Sequence, residues 1–96
     1  MNDVEYILSQ LQANGVEVRP EYETVFKSHL DVLVYRLQNN ECATIDDMSF
    51  LNQVEGEYID LAHRILDPLF EKYDVKMNEV EIGLFAIYMK LFKEVL

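Results

Sequence analysis

The chain has 96 residues, half of them hydrophobic, with 18 acidic against 8 basic side chains and a formal charge of −10. That length supports one hydrophobic core and excludes a second domain, so residues 1–96 are read as a single unit. The charge repels phosphate backbones and anionic lipid surfaces, which argues against direct binding of nucleic acid or membrane. Cys42 is the only cysteine and rules out an internal disulfide. The first twelve residues hold two acids and no basic residue, unlike a signal peptide, and the longest apolar run, Ile82 to Met89, is too short to span a bilayer. A cytoplasmic location is expected.

In chain order, the first predicted helix covers about residues 3–13, capped by Asp3, with Val4, Ile7, Leu8 and Leu11 at helical spacing and Asn14-Gly15 as its stop. Val16 to Pro20 reads as an extended connector. A second helix begins at Glu21 and carries Tyr22, Val25, Phe26, Leu30, Leu33 and Leu37, with His29 inside that stripe and Asn39-Asn40 at its end. Thr44 to Asp47 is expected to cap a short third helix, Met48 to Val54, interrupted by Gly56. The fourth helix runs from Tyr58 to Tyr73, and Pro68 within it predicts a kink. Asn78 caps the last helix, whose apolar residues, from Val80 to Val95, cover most of its circumference. Such a helix is either the centre of the bundle or part of an interface around Tyr88, Met89 and Phe92.

Catalytic chemistry finds no support. Gly15, Gly56 and Gly83 stand far apart and form no phosphate-binding loop. Ser28 and His29 are sequence neighbours that diverge on a helix, Cys42 has no nearby base, and Asp46-Asp47 reads as a capping or solvated pair. His29 and His63 lie on different helices, so no metal centre is expected. Only a weak exposed ion site of His63 with Asp60 and Asp67 comes near one. No catalytic residue, metal or cofactor is expected. His29 is either a packed core-edge histidine or a modifiable group.

Two stretches resemble a known family. FKSHLDVLVYRLQNNE, residues 26–41, is similar to the first signature of the phosphotransferase-system regulation domains, the PRD family, through His29, Arg36 and Leu37. Residues 57–92 resemble the end of the same domain, with Glu81, Ile82 and Gly83 matching its "EIG" triplet. The resemblance covers about residues 21–93. It implies an all-α bundle of about five helices, usually a homodimer, as found in bacterial antiterminators and activators of sugar operons.

It also implies phosphorylation of His29 by a phosphocarrier or sugar-permease component of the phosphotransferase system. Tyr88 stands where the family usually has a second histidine, and Ser28 where it commonly has aspartate. Arg36, Glu81 and Gly83 flank the site, and His63 matches no phosphosite. With no basic module in the chain, the expectation is a stand-alone regulatory domain acting through a partner such as a transcription regulator. The alternative is an acidic binding module of the immunity or anti-activator type that needs no phosphorylation. His29 is expected at the surface end of a cleft between the second and last helices, with the Tyr88 hydroxyl hydrogen-bonded to its imidazole.

Overall fold

The structure is a computed structural model and describes residues 2–47 and 49–94. Among these it is all-helical, built from α1 (Asp3–Ala13), α2 (Glu23–Gln38), α3 (Gly56–Lys72) and α4 (Glu79–Lys93). Two short 3₁₀ turns, Pro20–Tyr22 and Ser49–Gln53, occupy the connections. The thin dimension, 21 Å, is about two helix diameters, so the molecule is a two-layer bundle.

Local chemistry explains the boundaries. Asn2, rather than Asp3, caps α1, accepting the Glu5 N–H at 2.8 Å. Gly15 takes φ +75°, a value at which a side chain would be strained, and turns the chain so that Val16 returns to the core at 4% exposure. α2 begins at Glu23 instead of Glu21 because Pro20 initiates a 3₁₀ turn that uses Glu21 and Tyr22 first. The expected third helix is the 3₁₀ turn Ser49–Gln53, and Met48 lies outside the described residues. With four α-helices and this turn, the bundle has one helix fewer than expected. Gly56 opens α3 and does not interrupt a helix, since Glu55 is still extended, with ψ 145°. Pro68 is accommodated inside α3 on its exposed side, with no break in the helix. Asn78 caps α4 as expected, accepting the Glu81 N–H at 3.0 Å.

The buried residues follow helical stripes: Ile7 and Leu11 from α1, Phe26, Leu30, Leu33 and Leu37 from α2, and Leu61 to Phe70 from α3. α3 packs most closely on α4, and α1 lies against both α2 and α3. α4 is the central helix, with Ile82, Ala86, Met89 and Phe92 each at most 4% exposed. Met89 and Phe92 therefore belong to the monomer core and are not an interface, contrary to one expectation. α4 leaves only Ile87, at 40%, among its exposed large apolar side chains, and Val95 lies outside the described residues.

Asp3, displaced from its capping role, does different work. It is 9% exposed and accepts from Lys72 Nζ at 2.7 Å and from the Tyr73 hydroxyl, tying α1 to the end of α3. Burial pushes its carboxyl upward, but the bonds from Lys72 and Tyr73 and the charge of Lys72 outweigh that and hold it below 3.8. A depressed carboxylate stabilises the fold above its unfolded pKa, and the contribution is lost as pH falls through the folded value. Asp3→Asn is expected to cost about 1 kcal/mol at neutral pH, a modest figure because Lys72 is largely solvated. The deficit should disappear in strongly acidic solution, which urea melts across pH will measure.

Candidate functional site

α2 and α4 face each other through two pairs that share one register. The His29 ring meets the Tyr88 ring edge-on with centroids 5.3 Å apart. Arg36 donates to Glu81 from Nε at 2.6 Å and from Nη2 at 2.8 Å. Both steps are seven residues, from 29 to 36 on α2 and from 88 back to 81 on α4, so the helices run antiparallel along this seam. His29 and Arg36 thus share a face, as do Glu81 and Tyr88.

Between the pairs lies a groove with about 40 Å³ of free space, floored by Phe26, Leu30, Leu33 and Phe85. That is room for very few atoms and far below the several hundred Å³ of a typical small-molecule pocket. An aromatic cluster supports one end. Phe26 packs on Tyr88 at 4.9 Å, on Phe92 at 5.0 Å and on Phe85 at 6.3 Å.

Glu81 closes the other end. Its side chain is 1% exposed, and besides Arg36 it accepts the Ala43 N–H at 3.2 Å, pinning the chain that follows α2 to α4. Asn78 reinforces this by donating to the Ala43 carbonyl at 3.3 Å. The hydrogen bond from Arg36 to Glu81 raises the arginine pKa against the effect of burial, so the guanidinium stays charged. The half-buried Cys42 thiol is pushed up by burial and then by Glu81, which keeps it protonated and unreactive.

Gly83 has a packing role. A Cβ there would stand 2.3 Å from Leu51 Cδ2 and 3.0 Å from Phe50 Cε2, so glycine lets the second 3₁₀ turn seat against α4. Lys90 anchors the same turn through the Gln53 carbonyl at 3.1 Å and Glu55 at 3.0 Å.

The structure thus brings His29, Tyr88, Arg36 and Glu81 to one groove and places Gly83 beside it, while Ser28 is exposed outside the lining. His29 itself is exposed and stands at the groove's rim, so the packed core-edge histidine is not what is found. Its contact with Tyr88 is ring to ring, and no hydrogen bond joins them among the described residues. The burial of Glu81 is not among the expectations from sequence, although an acid flanked by Val80 and Ile82 on an apolar helix carries the signal. His63 lies elsewhere on α3, paired with Asp67 at 3.0 Å without Asp60. Among the described residues no three His, Cys, Asp or Glu side chains converge as metal ligands, and no helix is long and apolar enough to cross a membrane.

The family model of the PRD domain matches residues 4–91. No curated protein and no solved structure matches the chain.

Proposed function

The chain belongs to the PRD domain family, with residues 4–91 of 96 matched, and from that premise we propose a regulatory domain that responds to sugar transport through phosphorylation of His29. It acts on gene expression through a partner protein and not by gripping nucleic acid. The observation that carries this reading is the position of His29: exposed at the rim of the α2–α4 groove, with a ring contact to one side and solvent to the other. An incoming phosphocarrier can reach such an imidazole without unfolding anything. Addition of about two negative charges there changes a surface of α2 on which Val25 and Val32 are 51% and 49% exposed. Leu84 and Leu91 of α4 are half-buried on the neighbouring side. Self-association across this rim, with His29 inside it, makes the added charge a switch between two arrangements.

Incubation with phosphoenolpyruvate and the general phosphocarrier proteins, followed by intact-mass measurement, tests the proposal. The expected result is an acid-labile gain of one phosphoryl group, lost in His29→Ala and retained in His63→Ala. Absence of any gain contradicts it.

The alternative, an acidic binding module that needs no modification, is favoured by one observation. The exposed apolar residues of α2, which also include Tyr35 at 59%, sit on a domain of charge −10 and suit a basic partner with an apolar face. A partner whose affinity is the same for wild type and His29→Ala supports that alternative.

A further inference from the structure

We propose that the α2–α4 groove is a clamp for a phosphoryl group carried on His29, with the Nη1 of Arg36 and the hydroxyl of Tyr88 donating to its oxygens. The inference rests on the reading of His29 as a phosphoacceptor. It adds how the modified state is held, and by which residues.

Arg36 has five N–H donors, and its bonds to Glu81 use only Nε and Nη2. Among the described residues Nη1 has no partner. Glu81 fixes the plane of the fork, so the remaining donors are presented with little further loss of side-chain freedom. His29 and Arg36 are two helical turns apart on one face, and helical side chains lean toward the N-terminus, which directs the long Arg36 chain back toward His29. On the opposite wall, Tyr88 approaches the imidazole to 5.3 Å between centroids, and its hydroxyl has no hydrogen-bond partner among the described residues. Burial pushes the Tyr88 phenol upward, so it remains a donor throughout the neutral range.

Charge and size agree with this assignment. The charged groups lining the groove are Arg36 and Glu81 alone, and Glu81, at 1% side-chain exposure, is already paired with the guanidinium. A dianion entering an otherwise apolar groove needs donors, and Arg36 and Tyr88, which line it, supply them. The free space, about 40 Å³, suits a group of a few heavy atoms. A family member with a second histidine at this position has a different partner here. With Tyr88, the groove holds one phosphoryl group and offers no second acceptor.

The test avoids the phosphocarriers, so that its outcome is independent of whether one recognises the domain. Phosphoramidate is the donor. An imidazole nitrogen of His29 attacks phosphorus, the new N–P bond forms, the P–N bond of phosphoramidate breaks, and ammonia leaves with the imidazole proton. In a His63→Gln background, the phosphorus chemical shift is followed against pH for the folded protein, the same protein in urea, and the Tyr88→Phe variant. Tyr88→Phe removes only a hydroxyl and keeps the aromatic packing. The expected result is a titration midpoint at least about half a unit lower in the folded protein than in urea, because a neighbouring cation favours the dianion. In Tyr88→Phe the midpoint or the limiting shift moves part of the way back while the thermal midpoint of unfolding stays within about two degrees of wild type. Coincident curves for folded and unfolded protein, or for Tyr88→Phe and its parent, overturn the clamp. So does failure of phosphoramidate to modify His29 in the folded chain under conditions that modify it in urea.

Discussion

Arg36→Met is expected to destabilise the domain by about 3 kcal/mol, the low end of the cost of breaking a buried ion pair because Arg36 is itself 26% exposed. The damage is done to the partner. Glu81, at 1% side-chain exposure, keeps only the Ala43 N–H as a donor and loses its countercharge. For a domain of this size the loss corresponds to a fall of about 15 °C in Tm. Arg36→Met combined with Glu81→Leu, which removes the orphaned charge, should recover part of the loss. A single variant within about 0.5 kcal/mol of wild type by urea denaturation would show that the pair contributes little.

Phe26→Ala is the second large effect, at about 4 kcal/mol. Phe26 is 1% exposed and touches Phe85, Tyr88 and Phe92, so its removal empties the junction of α2 and α4. With total stabilities of small domains at about 5–15 kcal/mol, the variant is expected to be marginal at physiological temperature. Phe26→Leu should retain more than half of the lost stability by refilling the space. Because Tyr88 rests on Phe26, the ring that meets His29 loses its support. In the wild type, proton resonances of His29 should show the ring-current shift of an edge-on aromatic neighbour, and in Phe26→Leu that shift should shrink even though the fold survives.

The helices were legible because their apolar residues recur at 3.6-residue spacing: α1 matches its predicted bounds and α4 begins directly after its predicted cap, Asn78. What was not legible lay one position off a stripe or depended on distant partners. Val25 and His29 look apolar-facing in sequence, yet the buried line of α2 is Phe26, Leu30, Leu33 and Leu37. His29 sits about 60–70° around the helix from its centre and Val25 about 110°, enough to bring both to the surface. Asp3 and Asn2 are both good caps, and only the fold decided between them, since Lys72 and Tyr73, about 70 residues away, claim Asp3. Burial of Glu81 depended on Arg36 and the Ala43 amide reaching it from elsewhere in the chain. The shared seven-residue step of His29–Arg36 and Glu81–Tyr88 was written in the sequence, but it acquires meaning only once α2 and α4 are known to lie antiparallel.

The outward residues of α4 are also clearer in the structure. An apolar circumference left two readings open, and the burial of Ile82, Ala86 and Met89 by the rest of the chain assigns α4 to the centre of the monomer. On the proposed function, self-association uses the rim around His29, with Val25 and Val32 of α2 exposed there, which is the surface a phosphoryl group would alter.

The central claim is that modification of His29 is read out at that rim. Sedimentation velocity of the unmodified and the His29-phosphorylated protein, at matched micromolar concentrations, tests it most directly. A change in the distribution between monomer and dimer on phosphorylation, absent in Val25→Ser/Val32→Ser, is the predicted result. Identical monomeric profiles for both forms at every concentration would contradict it.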